Sequence, residues 1–123
     1  MSNSILITDE GISLNELKQF LFENIPFSLA NASLSFEKSN SFINIMEDRS
    51  MIKEFDDEEL LLITKNIKNP RFYIIDSNDF ELLKLFIDNI PDEIAFLIDN
   101  DHGKIMNKKT FVNFKSFSDF FSW

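Results

Sequence analysis

Residues 71–106 constrain the fold more than any other part of the chain. Two short apolar runs, 71–76 and 93–98, flank a segment with helical spacing. Short apolar runs bounded by turn residues are typical of strands that are buried on both faces. In the segment between them, five apolar residues share one helical stripe, namely Phe80, Leu83, Phe86, Ile87 and Ile90. The order predicts a β-α-β crossover, whose two strands we expect to be parallel neighbours.

Local signals set the ends of these elements. Asn78 can cap the helix, with an acidic residue three positions on to complete a capping box, and Pro91 stops it. After the second strand, residues 99–103 predict a hairpin turn in which Gly103 supplies a positive φ, and a strand follows at 104–106.

The rest of the chain predicts further strands and helices around this unit, without repeats or linkers. We expect a strand at 4–8, a helix beginning at Ser13 and ending near 24–26, a hairpin of strands at 33–37 and 42–46, a helix capped by Asp56, an edge strand at 110–114 and a last helix capped by Ser116. The predicted fold class is therefore α/β or α+β. We expect a single domain with a small mixed sheet, a β-α-β crossover and flanking helices.

Charge and composition exclude several classes of function. The net charge of −9 argues against nucleic acid as a ligand, because phosphate binding needs a basic face, and it suits a basic partner instead. The charge is uneven, with −12 over residues 1–101 and +3 over 102–123. No apolar run approaches the roughly 18 residues of a membrane span. The absence of cysteine suits a reducing cytoplasm.

No catalytic or ligand motif is present. His102 is the only histidine, and two glycines cannot form a phosphate-binding loop. Residues 99–103 resemble the start of a calcium loop, but Gly103 stands fifth where an EF-hand needs glycine sixth. We therefore expect no enzymatic activity, no cofactor and no bound metal.

One acidic run is the first candidate for a functional surface. It places five acids within six positions, namely Glu54, Asp56, Asp57, Glu58 and Glu59. Capping of a helix N-terminus explains two of them, and a solvated helix face is the alternative reading of the rest. Because crowded like charges cost stability, such a cluster often faces a basic partner.

A second set of acids follows the two strands of the predicted crossover. Asp76 and Asp79 come after the first strand, and Asp99 and Asp101 after the second. Since the carboxyl ends of parallel strands often form sites, we expect these four side chains to converge. The alternative is that they are ordinary turn-forming acids.

The phenylalanine-rich segment 111–123 has two readings. It can close the core as a flap or form an exposed patch for a partner. We favour the flap, because an exposed patch of this size would be a liability for a monomer.

The chain resembles bacterial toxin-immunity proteins, especially those paired with contact-dependent growth inhibition and other polymorphic toxins. The resemblance lies in its size, acidity, lack of cysteine and of catalytic motifs, and in the 72–106 unit with its Ile94-Ala95-Phe96-Leu97-Ile98-Asp99-Asn100-Asp101-His102-Gly103 stretch. It implies a cytoplasmic protein that binds one basic toxin domain, a nuclease, and blocks its active site or substrate surface. It implies no binding to nucleic acid or membrane.

Two other classes of function stay open at this point. One is a binding adaptor or chaperone for a secreted or phage protein. The other is a small enzyme with a carboxylate-based site, although with 21 acidic residues chance pairs of carboxylates are certain and do not by themselves indicate catalysis.

Overall fold

A computed structural model describes residues 2–21, 27–30 and 32–123. The described strands are β1 (Ser2–Asp9), β2 (Ser28–Ala30), β3 (Ser33–Lys38), β4 (Ser41–Glu47), β5 (Pro70–Ser77), β6 (Phe96–Asp99) and β7 (Ile105–Met106). The described α-helices are α1 (Leu14–Leu21), α2 (Asp57–Asn66), α3 (Phe80–Asn89), α4 (Lys108–Phe111) and α5 (Phe117–Phe121), and a 3₁₀ helix spans Met51–Glu54. The predicted end of α1 at 24–26 lies outside the described residues.

The seven described strands form one sheet in the order β2-β3-β4-β5-β1-β6-β7, and all of their pairings are antiparallel. The protein therefore has an α+β fold. The expectation that the two strands of the crossover are parallel neighbours in a mixed sheet was wrong. β5 and β6 do run in the same direction, but β1 lies between them, so that Ile5 pairs with Ile74 on one side and Asp99 on the other.

The physical reason for this insertion lies in β1 itself. Ile5, Leu6 and Ile7 are all buried, at 5% exposure or less. Because successive side chains of a strand point to opposite faces, this run needs cover on both sides and fits only the interior of a sheet. An interior place in the sheet, between β5 and β6, is therefore taken by the first described strand.

Each face of the sheet carries its own apolar cluster. On one face, α1, α3, α4 and α5 bury the larger cluster, which includes Leu17, Phe86, Phe111 and Phe120. On the other face, α2 and the 3₁₀ helix cover part of the sheet with Phe55, Ile63 and Ile67. Because Phe111, Phe114 and Phe120 are buried, the C-terminal segment closes the core, as the favoured reading expected.

Two local predictions differ from the structure. Residues 110–114 are not an edge strand, because the Asn107 side chain accepts a hydrogen bond from Thr110 N (2.9 Å) and starts α4 instead. The cap of α3 is Asp79, whose carboxylate accepts from Glu81 N (2.9 Å). Asn78 instead ties β5 to the β3–β4 hairpin, where its side chain accepts from Phe42 N (2.8 Å) and donates to Asn40 O.

Candidate functional site

Five carboxylates line one groove on the face of the sheet that carries α2. They belong to Asp48, Glu54, Glu59, Asp99 and Asp101, and the groove has a volume of about 350 Å3. We call it the acidic groove. Three segments meet there: the loop after β4 with the 3₁₀ helix, the first turn of α2, and the β6–β7 hairpin. The acidic groove joins part of the Glu54–Glu59 run to part of the second set of acids.

The Glu54 side of the groove is held by an aromatic anchor. Phe55 is buried, and its ring stacks on Phe72 of β5 with the centroids 5.4 Å apart. Asp48 is tied to the same strand, because its N–H donates to Phe72 O (3.0 Å). The segment between Asp48 and Phe55 is therefore fixed to the sheet at both ends.

Glu59 is positioned by the predicted cap of α2. The Asp56 carboxylate accepts from Glu59 N (2.8 Å), and the Glu59 carboxylate accepts from Asp56 N (3.0 Å). This reciprocal pair satisfies two backbone donors that the helix leaves free. The pair confirms the predicted cap at Asp56, and it holds Glu59 at the wall of the groove.

The third side of the groove is the hairpin that follows β6. Asn100 is fully buried, and its side chain donates to Phe120 O (2.9 Å) and accepts from His102 N (2.9 Å) and Lys104 N (3.2 Å). Asp101 adopts a positive φ of 60°, which aspartate tolerates better than most residues. With Gly103 at φ 86° as predicted, the hairpin presents Asp99 and Asp101 on one side.

The electrostatic environment of Asp99 is unfavourable for its charge. The residue is 5% exposed, and burial raises the pKa of its carboxyl to about 6. Asp101 and Glu59 add to the rise, while a hydrogen bond from Asp101 N (3.0 Å) and the nearby His102 oppose it. The carboxylates of the groove repel one another, and a cation bound between them would stabilise their charged forms.

No lysine or arginine in the described residues forms an ion pair with a carboxylate of the groove. Three ion pairs occur among the described residues, and their acids are Glu47 and Asp92, neither of which lines the groove. Asp48 is held by Ser50, whose hydroxyl and backbone N–H donate to it and lower its pKa. The groove therefore carries negative charge that is free to interact with a partner.

Other acids of the two predicted sets lie outside the groove. Asp57 and Glu58 are exposed on the first turn of α2. Asp79 caps α3 on the opposite face of the sheet. The expected convergence of Asp76 with Asp99 fails because β1 separates their strands by about 10 Å, which is two strand spacings.

Asp76 nevertheless lies on the same face as the groove. It pairs with Asn3 of β1, two residues from Ile5, which pairs with Asp99. Its Oδ1 is buried and has no hydrogen-bond partner among the described residues. Asp76 therefore extends the negative surface along the sheet without lining the groove.

Sequence reasoning missed Asp48. The segment between β4 and α2 has no clear periodicity, so nothing in it predicted a loop that returns to the hairpin after β6. The available signal was local, since Asp48 and Ser50 form a turn in which a side chain accepts from the backbone two residues on.

Among the described residues, no group of three or more His, Asp or Glu side chains is arranged to hold a metal ion. In the same ranges, no helix is long and apolar enough to span a bilayer. Comparison of the chain with protein-family models, with curated proteins and with solved structures finds no match. The class that the structure defines is therefore an α+β protein with a carboxylate-lined groove.

Proposed function

We propose that this protein binds and neutralises a basic partner protein, namely a cognate bacterial toxin domain with nuclease activity. The observation that carries the proposal is the acidic groove, where five carboxylates converge without an ion-pair partner among the described residues. In this proposal the protein is an immunity protein that acts in the cytoplasm by binding and not by turnover.

A nuclease fits the groove for an electrostatic reason. Its substrate surface must be basic, because Lys and Arg side chains neutralise the phosphates that it holds. The same cations can enter a groove lined by carboxylates, and their occupation of it would exclude the nucleic acid. Long-range attraction would also speed the association, which matters for an inhibitor that must act before its target does.

The groove lowers the stability of the folded protein, and this supports a functional role for it. Asp99 is a buried acid whose pKa burial raises, so its charge opposes folding at neutral pH. Surfaces that keep such groups are candidates for function, because stability alone favours a neutral residue there. A cation from the partner would stabilise Asp99, Glu59 and Asp101 together.

The test is a variant that removes charge without changing shape. Four substitutions, Glu54→Gln, Glu59→Gln, Asp99→Asn and Asp101→Asn, keep the hydrogen-bond acceptors that hold α2 and the hairpin. Glu59→Gln preserves the capping box, and asparagine at position 101 can adopt the same positive φ as the aspartate. The partner to be tested is the product of the neighbouring gene, which the proposal expects to carry a basic nuclease domain, and stopped-flow fluorescence measures its association.

A matched control removes the same number of charges elsewhere. Glu16→Gln, Glu81→Gln, Asp88→Asn and Asp119→Asn lie on helices of the opposite face. We expect the groove variant to associate about 10- to 100-fold more slowly at low salt, and the control to change far less. At about 1 M salt the difference should shrink, because the Debye length falls to about 3 Å.

A nuclease assay with each variant gives the second readout. Inhibition should be lost with the groove variant and kept with the control. If both variants associate at the same rate at low salt, net charge alone guides the encounter and the groove is not the interface. If no basic domain binds the unmodified protein, the proposed function itself fails.

A further inference from the structure

A second groove lies at the opposite end of β6 from the acidic groove. Its volume is about 570 Å3, and it runs between the C-terminal end of α2 and helix α4. We call it the lysine-rimmed groove. Ile94, Leu97 and Val112 give it apolar walls, and Asn66 and Lys109 stand on opposite sides of it. Its size is within the range of clefts that bind ligands or peptide side chains.

The charge around this groove is opposite to that of the rest of the protein. Its charged lining residues are two lysines, Lys108 and Lys109, and one acid, Asp92. The Nζ of Lys108 donates to Ile90 O (2.8 Å) and to the Asp92 carboxylate (2.9 Å), so that pair is satisfied. The Nζ of Lys109 has no partner in the described part of the chain, which leaves it free to bind an anion.

Apolar surface continues beyond the groove. A neighbouring cavity of about 280 Å3 shares Asn66, Leu97 and Asn107 with it and is lined by Leu62 and Trp123. Leu62 is 43% exposed and Trp123 51% exposed. Two neighbouring cavities with lining residues in common, along one edge of a sheet, suit a chain in extended conformation better than a compact ligand.

The edge of the sheet at this point carries no paired strand among the described residues, although Phe96 and Leu97 are themselves buried, at 8% and 7% exposure. β7 pairs only with Ile98 and Asp99, because the chain then turns into α4. In the described residues, no strand pairs with the outer side of Phe96 and Leu97. An open strand edge can pair with an extended peptide, while adjacent pockets select its side chains.

We propose that the lysine-rimmed groove binds an extended acidic segment of a partner protein that carries bulky apolar side chains. The apolar side chains occupy the two cavities, and the acids of the segment lie against Lys109. This site does not depend on the acidic groove or on the function proposed for it. The protein thus has two surfaces for partners of opposite charge.

The test uses a synthetic peptide in which Asp and Glu flank Leu and Phe. Heteronuclear NMR titration of the isotope-labelled protein locates the bound peptide, and fluorescence anisotropy gives its affinity. We expect saturable shifts of backbone amides at 66–67, 94–97 and 107–112. A peptide with Lys in place of the acids, and one with Ser in place of Leu and Phe, should bind much more weakly.

Two pairs of variants separate this site from general attraction. Lys109→Glu should weaken binding about three- to tenfold, while Lys115→Glu makes the same charge change outside the groove and should have little effect. Val112→Asp should abolish binding. Leu85, which lies outside the groove, is exposed to nearly the same extent as Val112 (39% and 38%), and Leu85→Asp should leave binding unchanged. Circular dichroism of each variant shows that the fold is kept.

Three results would overturn the proposal. The first is the absence of saturable shifts in the groove. The second is an equal loss of affinity in both members of a pair, which would indicate only diffuse attraction of an acidic peptide to lysines. The third is self-association in sedimentation experiments that Val112→Asp disrupts, because the groove would then be occupied by a second copy of the chain.

Discussion

The substitution Asp99→Asn should stabilise the protein, and the gain should depend on pH. The pKa of this carboxyl rises from 3.8 to about 6 on folding, mainly through burial. Because the folded-state value is the higher one, the folded protein binds the proton more tightly. The neutral acid is therefore tolerated at low pH, and stability is lost as the pH rises through about 6.

The magnitude follows from the size of the shift. Two pKa units correspond to about 3 kcal/mol, which is an upper limit because water in the open groove screens the charge. We expect Asp99→Asn to raise the free energy of unfolding by about 1–2 kcal/mol above pH 7. Asparagine keeps the oxygen that accepts from Asp101 N, so the hairpin is retained.

Urea denaturation over a series of pH values measures this effect. The difference between the variant and the original protein should fall as the pH drops from about 6 to about 4. Asp88→Asn, an exposed change on α3, is the control and should show no such trend. A stability difference that is independent of pH, or a loss of stability at about pH 8, would refute the assignment of a buried charge to Asp99.

Two further predictions concern the packing that supports the grooves. Phe86→Ala should lower the free energy of unfolding by about 3–5 kcal/mol, because the ring is fully buried, whereas Leu85→Ala next to it should cost much less. An unchanged denaturation midpoint for Phe86→Ala would place that ring outside the core. Asn100→Ala should cost about 2–3 kcal/mol, because it leaves the buried Phe120 carbonyl and two backbone donors without their partner. Asn113→Ala, a change at an exposed position, is the control, and chemical denaturation measures both variants. If both changes lower the free energy of unfolding equally, the hydrogen bonds of Asn100 do not stabilise the hairpin.

The sequence predicted elements well where the signals were local. The caps at Ser13, Asp56 and Ser116 each accept from the backbone N–H three residues on, as the side-chain spacing indicated. The β3–β4 hairpin also formed where alternation and a short turn predicted it. Such signals suffice because the interacting groups are close along the chain.

Sequence reasoning failed where distant segments compete for the same partner. The β5–α3–β6 unit obeys its local pattern, but nothing within it shows that Ile5 enters between the two strands. The indication was in β1, whose apolar run requires burial on both faces. Asn78 was misread for a similar reason, since its hydrogen bonds to Asn40 and Phe42 depend on the distant hairpin.

The candidate site was predictable only in part. Glu54, Glu59, Asp99 and Asp101 were identified by residue type, and the structure brings these four together with Asp48. The same reasoning grouped Asp76 and Asp79 with Asp99, because it assumed adjacent parallel strands. The position of β1 therefore decides which acids share a groove as well as the order of the sheet.

The interior position of β1 also has a consequence during protein synthesis. Ile5 is translated well before its partners Ile74 and Asp99. Until then its apolar side chains have no sheet to enter, so this part of the nascent chain is exposed to aggregation. Asp99 also completes the acidic groove, so a newly made molecule gains this surface only after Asp99 and Asp101 have been translated. Under the proposed function, a nascent chain could not bind its partner through the groove before that point.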